Sequence, residues 1–320
     1  MIRGTAVMTV LFAATVFAQE TTDKRELRFK FEKGEKLTLK VAQKMNAKVS
    51  EAPDFLKDMM GEEPFDLDFS GTADLEVKDI DADGKATLEG RFAKMTAKGN
   101  VMVNEIDYSY DREKDGDKPA AGGDEGGDEG MPGMPNMEDE FAKLATSTLK
   151  ITIDKFGKIS FDGQGGSTAM AMQLLNISAL VGVLPKDKVG KGDSWKNDES
   201  LSLPGMPIKM KVKSTNKFDK IEKKGDTECI VIKSEFAVGS ESNEEDAPAE
   251  GAIPLQGKFT GTGDGTMYFD PAGGRPVENK LKLDTKFDFT MPNPQGGDDL
   301  NIKGTFTMSQ TNELKKAEKK

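Results

Sequence analysis

The chain has no histidine and only one cysteine among 320 residues. Histidine is the commonest general base and zinc ligand, so its absence excludes Ser–His and Cys–His nucleophile systems. A single cysteine also excludes an internal disulfide, a thiolate zinc site and an iron–sulfur cluster. A carboxylate pair or a serine–lysine pair remains possible, but no pair stands out among 56 acidic residues. The sequence therefore predicts a protein that is not an enzyme, and it identifies no catalytic, cofactor-binding or metal-binding residue and no cofactor.

Positive charge is also in deficit, since 45 Lys and Arg face 56 Asp and Glu and give a net charge of −11. A field of that sign repels phosphate backbones and anionic lipid surfaces. We therefore expect no nucleic-acid partner. The only cysteine, Cys229, lies in the apolar run Cys229-Ile230-Val231-Ile232, which indicates a small buried residue and not a reactive thiol.

The N-terminus has the features of a secretory signal. Arg3 precedes an apolar run from Ala6 to Phe17, and Val16-Phe17-Ala18 places compact residues just before Gln19. This run is shorter than the roughly 20 apolar residues that a spanning helix needs, and no later run is longer. We expect residues 1–18 to be removed, leaving 19–320 as an exported, soluble chain, periplasmic or extracellular, with no transmembrane segment. No cysteine lies at the cleavage point, so we expect no lipid anchor there.

Several long segments alternate apolar and polar residues with period two. Such alternation predicts antiparallel strands with one dry face and one charged face. Strands of that length twist, so the sheet should curl around its apolar face. We predict a mainly β fold, a strongly curved antiparallel sheet or open barrel with one or two covering helices; a two-sheet sandwich is the alternative. The alternating segments are Leu37–Val49, Phe65–Val77, Ile208–Phe218 and Val277–Met291, with further strands at Leu27–Phe31, Val101–Tyr110, Leu255–Phe269 and Leu300–Met308.

Turn chemistry joins these strands, at Asp83-Gly84, Lys224-Gly225-Asp226 and Asp270–Gly274, with a smaller hairpin at Ile151–Phe161. Helical spacing predicts a helix from Ser167 to Val181, a second from about Asn136 and a short one at Asp54–Met60. Two acidic or glycine-rich stretches, 111–135 and 240–251, hold too little apolar surface to order and are interpreted as disordered loops within one β-rich domain.

Three short motifs admit a functional interpretation beside a structural one. The first, Asp79-Ile80-Asp81-Ala82-Asp83-Gly84, begins like a calcium loop, but its twelfth position is Gly90, and a tight hairpin turn explains the same residues. Second, Met131, Met134 and Met137 have the three-residue spacing that would align thioethers for copper(I), although Met137 also fits a helix face. Third, the turn Gly190–Trp195 resembles an anion-binding loop, but it also places the only tryptophan as a packing anchor.

Four segments of the chain carry a resemblance to a known family. They are Leu27-x-Phe29-x-Phe31-x-x-Gly34-x-x-Leu37-x-Leu39, the Asp83-Gly84 hairpin, Leu184-Pro185…Val189-x-x-Gly192-Asp193-Ser194-Trp195, and Gly263-x-Gly265-x-x-x-Phe269. With these segments the chain resembles an uncharacterised family of exported bacterial β-rich proteins, over most of residues 19–320. The resemblance implies export and an all-β body, and it carries over no functional residue.

These observations favour a non-catalytic envelope protein that binds an apolar ligand, a lipid or a lipoprotein chain, between its sheet and a helix bearing Met170 and Met172. A structural or protein-interaction module with a filled core is the alternative. A carboxylate-based hydrolase is the more distant one.

We predict signal cleavage after Ala18. The intact mass of the exported protein should correspond to a chain that begins at Gln19. A different first residue would contradict the prediction.

Overall fold

The computed structural model describes residues 24–61, 63–101, 104–116, 137–161, 183–202, 208–242, 256–293 and 298–317. No helix in these ranges is long and apolar enough to cross a membrane. The helices there are α1 (Asp54–Met60), α2 (Arg112–Asp115) and α3 (Met137–Thr146). The strands are β1 (Lys36–Glu51), β2 (Phe65–Ile80), β3 (Ala86–Val101), β4 (Asn104–Asp111), β5 (Leu149–Ile153), β6 (Ile159–Phe161), β7 (Ser194–Ser202), β8 (Ile208–Lys224), β9 (Thr227–Ser242), β10 (Gln256–Asp270), β11 (Arg275–Met291) and β12 (Leu300–Lys316).

All of these strands belong to one antiparallel sheet in the order β6-β5-β3-β2-β1-β12-β11-β10-β9-β8-β7. The far edge of β3 is shared: Ala86–Gly90 pairs with β5, and Lys94–Val101 pairs with β4. The first and last strands, β1 and β12, pair at the centre of the sheet. The mainly β prediction is therefore confirmed, with one open sheet in place of the two-sheet sandwich.

The period-two pattern places the side chains as predicted. In β11, Leu281 and Leu283 are almost fully buried, whereas Lys282 and Asp284 between them are exposed. Adjacent side chains of a strand point to opposite faces, so one face becomes the core and the other the charged surface. Glu278 departs from the pattern, because this outward-facing carboxylate is buried against the ammonium group of Lys224 at 2.9 Å.

The sheet curls until its two edges approach each other. Lys158, in the turn between β5 and β6, forms an ion pair of 2.8 Å with Glu199 of β7, although β6 and β7 lie at opposite ends of the strand order. Twist that accumulates over many long strands produces this curvature. The apolar side chains lie on the inner, concave face.

The predicted strand Leu27–Phe31 is not a strand. Residues 24–35, here called the crossing segment, run over the turn end of the sheet and make backbone hydrogen bonds to several elements in succession. The N–H of Phe29 donates to Lys155 O (2.9 Å), that of Lys30 to Gly274 O (2.8 Å) and that of Gly34 to Val77 O (2.8 Å). The alternation of Leu27, Phe29 and Phe31 thus comes from an extended segment that buries one of its sides. No single neighbouring strand forms a continuous ladder of hydrogen bonds with this segment.

Other predicted boundaries shift. Val101–Tyr110 is not one strand, because β3 ends at Val101 and β4 begins at Asn104. The predicted loop 111–135 begins with the helical turn α2, in which the Asp111 carboxylate accepts the N–H of Glu113, and β9 extends to Ser242 inside the predicted loop 240–251. α1 and α3 confirm two predicted helices. The predicted helix Ser167–Val181, with Met170 and Met172, lies outside the described residues, as do 117–135 and 243–251.

The helix α3 covers the inner face of the N-terminal half of the sheet. Its acidic first turn complements the helix dipole, and its apolar side buries Phe141, Leu144 and Ala145. The Phe141 ring stacks between Phe69 and Tyr108, with centroid distances of 6.2 and 5.9 Å. This part of the inner face is a filled hydrophobic core.

A buried ion-pair network fastens the crossing segment to the sheet. The Glu35 carboxylate, whose side chain is 2% exposed, lies 2.8 Å from the Arg275 guanidinium and 3.2 Å from the Lys316 ammonium group. Burial alone would raise the pKa of Glu35, but the hydrogen bonds and positive charge of Arg275 and Lys316 outweigh it and lower the pKa below its ordinary value. One carboxylate thus joins the crossing segment, the β10–β11 turn and the end of β12.

We expect Leu283→Asp to lower the free energy of unfolding by several kcal/mol, because it buries an unpaired carboxylate. The neighbouring change Asp284→Leu, on the outer face, should cost under about 1 kcal/mol. Denaturant midpoints measure both. Equal shifts for the two variants would contradict the one-sided assignment of β11.

We expect Glu35→Gln to destabilise the protein by roughly 2 kcal/mol at pH 7, because it removes the charge from hydrogen bonds to Arg275 and Lys316. The folded-state pKa of Glu35 is lowered, so its stabilisation is present above the unfolded pKa and disappears as pH falls through the folded value. The difference between wild type and Glu35→Gln should therefore shrink below about pH 4. Glu32→Gln, at an exposed side chain of the same segment, is the control and should change little. A pH-independent difference would refute the assigned role.

Candidate functional site

The inner face of the sheet is nearly free of charge. More than two residues from the strand ends, the inward-facing positions of the described strands carry one charged side chain, Glu199, at the edge and paired with Lys158. The outer face, in contrast, carries most of the lysines and acids. An uncharged concave surface suits neutral or apolar partners, because an ion there would lose its hydration without gaining a counter-charge.

A line of uncharged polar side chains, here called the polar belt, crosses the inner face at mid-height. Strand register aligns Gln43, Gln310, Leu281, Gly265, Ser234, Asn216 and Trp195 across seven neighbouring strands. The belt separates the inner face into a half at the crossing segment and a half at the opposite, open end. Its polar members are Gln43, Gln310, Asn312, Asn279, Ser234, Ser214, Asn216, Asn197 and Trp195.

Internal hydrogen bonds satisfy much of the belt. Ser234 donates to Asn216 Oδ1 at 2.5 Å, and Asn216 donates through Nδ2 to Ser214 Oγ at 3.3 Å. Trp195 Nε1–H and the Asn197 amide both donate to Val183 O, at 2.9 and 3.0 Å. These bonds hold residues 183–185 over the β7 side of the sheet, since polar groups that are buried must find partners.

The half of the inner face at the crossing segment is packed with side chains. Leu27 is fully buried there, and Phe29 packs against the clusters of both halves of the sheet. The Phe29 ring meets Phe269 edge-on at 5.8 Å. A small space remains beside Trp195 and Met267, with Asn216 and Asn279 on its wall. This half is a core, with no room for an extended ligand in the space beside Trp195.

The open-end half has a different character. Four inward-facing phenylalanines from β10, β11 and β12 are only partly buried, and we call them the aromatic patch. The rings of two of them stack at 5.5 Å with 15° between their planes. The patch borders the buried cluster that contains Met308 and Leu283. Its members are Phe259, Phe287, Phe289 and Phe306.

Glycines of β10 allow aromatic rings to lie flat on this part of the sheet. A Cβ atom added to Gly263 would lie 2.2 Å from the Phe236 ring. Gly261 and Gly265 continue the same inward-facing row. Glycine inside a strand commonly marks such a close approach. Close packing of aromatic rings on these glycines therefore explains the Gly263-x-Gly265 motif.

A groove of about 1610 Å³ lies on the outer face, between the crossing segment and β12, β1, β2 and β3. Lysines and acids line it in similar numbers and pair with each other, as Arg112 does with Asp74 and Lys315 with Glu313 at 2.8 Å. Exposed pairs of this kind are ordinary surface features. We therefore assign no ligand to this groove.

The buried titratable groups have structural environments. Burial raises the pKa of the Cys229 thiol, and Cys229 is fully buried as predicted. Burial also raises the pKa of Tyr108 to about 12, so its hydroxyl stays protonated beneath α3. Neither group has the lowered pKa that activates a nucleophile.

The motifs singled out in the sequence fall in separate places. Asp79–Gly84 forms the β2–β3 hairpin, where Asp81 Oδ1 accepts the N–H groups of Asp83 and Lys85, both at 2.9 Å. Met137 begins α3 and packs on the core, while Met131 and Met134 lie outside the described residues. Trp195 is partly buried against the cluster beside the crossing segment, which confirms the packing interpretation.

Sequence reasoning missed the polar belt and described the inner face as dry. The signal was present, because Gln43, Ser214, Asn216 and Asn279 occupy positions where the alternation otherwise places apolar residues. One such residue in a strand looks like an isolated exception. Only strand register shows that exceptions in several strands lie side by side.

No family model matches the chain, and no curated protein matches it. One solved structure, of lipid–protein interactions in lipovitellin, superposes on this chain with a TM-score of 0.41 and 9% sequence identity. The match covers 91% of this chain and 26% of the lipovitellin chain, so this chain spans about a quarter of its length. At that TM-score we base no conclusion on the similarity.

Proposed function

We propose that this protein is a non-catalytic, exported envelope protein that binds an apolar ligand, a lipid or the chain of a lipoprotein, on the open-end half of its inner face. The observation that carries the proposal is the aromatic patch. Its four phenylalanines are partly buried on a concave surface whose inward positions are almost entirely uncharged. A concave, mainly apolar surface with a few polar groups is the usual form of a small-molecule site.

Side chains around the patch support the same proposal. Met45, Met210 and Met308 lie on the inner face beside it. Unbranched thioether side chains adapt their shape to different apolar partners at small cost. The position differs from the expectation drawn from the sequence, because the helix predicted to bear Met170 and Met172 falls outside the described residues.

The rival proposal is a structural or protein-interaction module whose core is simply filled. The filled cores beneath α3 and beneath the crossing segment favour this rival proposal for those two parts of the molecule. A carboxylate-based hydrolase has less support, because the buried carboxylates of Glu35 and Glu278 are both held by cationic partners at 3.0 Å or less.

The test uses the fluorescence of N-phenyl-1-naphthylamine, a neutral apolar probe, together with native mass spectrometry of protein purified without detergent. We expect the wild type to bind the probe and to release an apolar molecule on solvent extraction. Phe306→Asp, within the patch, should weaken probe binding at least roughly ten-fold, which corresponds to about 1.4 kcal/mol.

Thr305→Asp is the matched control, because it adds the same charge one residue away on the exposed outer face. Its affinity for the probe should equal that of the wild type. Absence of probe binding and of any extracted molecule would favour the filled module. Equal weakening by the two variants would place the binding surface elsewhere.

A further inference from the structure

Gln43 has a buried carbonyl that lacks a partner. Its side chain is 1% exposed in the middle of β1, and the Oε1 atom accepts no hydrogen bond. The amide nitrogen of the same side chain contacts Met308 Sδ at 2.8 Å. Thioether sulfur is a weak acceptor, so one end of the amide is left without a good partner whichever way the amide is turned.

This deficiency is costly for a folded protein. A buried polar atom without a hydrogen bond costs about 1–3 kcal/mol, and such atoms in native structures call for an explanation. Elsewhere in the belt, Ser234, Asn216, Asn197 and Trp195 donate to partners within the protein. An apolar residue would fill the position of Gln43 without that cost.

The position of Gln43 relates it to the proposed binding surface. Going along β1 toward the open end, the next inward positions are Met45, paired with Met308, and Ala47, paired with Phe306 of the aromatic patch. Four residues of strand separate the Gln43 and Ala47 levels, or roughly 13 Å at about 3.3 Å per residue. Gln43 therefore lies at the inner limit of the surface on which an apolar chain would rest.

Charge restricts the kind of polar group that could lie against Gln43. In the described strands, no cationic side chain occupies an inward-facing position more than two residues from a strand end. A carboxylate or phosphate there would be buried without a counter-charge, at a prohibitive cost. A hydroxyl group is neutral and can donate to Oε1 or accept from the amide nitrogen, so it satisfies either orientation of Gln43.

We propose that Gln43 hydrogen-bonds the hydroxyl group of a neutral long-chain ligand whose apolar part lies on the aromatic patch. This inference rests on the proposed apolar-ligand function and adds the ligand class. It specifies a long-chain alcohol or a lipid with a free, uncharged hydroxyl group, and it excludes fatty-acid anions and phospholipid phosphates from the inner end of the site.

The experiment measures displacement of N-phenyl-1-naphthylamine by 1-hexadecanol, hexadecane and hexadecanoate at pH 8, each delivered from cyclodextrin. In the wild type, hexadecanol should bind roughly five- to ten-fold more tightly than either of the others. Gln43→Leu should abolish the preference of hexadecanol over hexadecane. It should also leave the melting temperature unchanged or higher, because it removes an unsatisfied buried group.

Thr285→Val is the matched control. Thr285 is equally buried and inward-facing, but its hydroxyl already donates to Phe306 O at 3.0 Å, so the preference for hexadecanol should persist. If Gln43→Leu does not fold, Gln43→Met takes its place, since it also lacks the amide and keeps the length of the side chain.

The outcomes separate the two proposals. If the probe binds and the three competitors displace it equally, or if hexadecanoate matches hexadecanol, the role of Gln43 is refuted while the apolar-ligand function stands. A preference that survives in Gln43→Leu refutes the role as well. Failure of the wild type to bind the probe at all refutes both.

Discussion

The crossing segment, residues 24–35, is the constraint on which the rest of the structure depends. A single open sheet of long strands has an apolar face too large to leave in water, and it must be covered. The segment covers it at one end through Leu27 and Phe29, and its backbone bonds reach turns at both sides of the curled sheet. Glu35, with Arg275 and Lys316, fixes the point where the segment enters β1.

This arrangement makes the two ends of the molecule different. At the turn end, short hairpins, the crossing segment and residues 183–189 pack together, and Phe29 links the two core clusters. At the other end, aromatic side chains of β10–β12 remain partly buried. Well-filled cores contribute stability, whereas incompletely buried apolar surface is where binding is expected. The same sheet therefore has one densely packed half and one half whose aromatic side chains are incompletely buried, where we propose that the ligand binds.

The distribution of polar groups reinforces that division. In the described strands, charged residues lie almost entirely on the outer face, so the inner face offers dispersion contacts and neutral hydrogen bonds. Buried amides are costly unless paired, and the pairing within the polar belt orders the β7 side of the sheet. At the centre of the belt, the buried amide oxygen of Gln43 accepts no hydrogen bond, and a neutral hydroxyl group of a ligand would satisfy it. Burial raises the pKa of Tyr108 and that of the Cys229 thiol, so both groups stay protonated.

The sequence by itself determined the fold class, the long one-sided strands, the main hairpins and two of the helices. These features depend on local physics: the two-residue period of a strand, the positive φ that glycine supplies in turns, and the apolar spacing and acidic first turn of a helix. The burial of Leu283 next to exposed Asp284, and the anchoring of Trp195, follow from the same local rules.

Only the tertiary structure decided the path of Leu27–Phe31, the break between Val101 and Asn104, and the alignment of the polar belt. An extended segment that crosses turns shows the same alternation of apolar and polar residues as a strand. The sequence pattern therefore does not reveal its hydrogen-bond partners, which only the structure shows. Likewise, Gln43 and Asn216 lie 173 positions apart in the chain, and the register of five successive strand pairings puts them in one line. Strand pairing over long sequence separations is a property of the whole sheet, and local patterns carry no information about it.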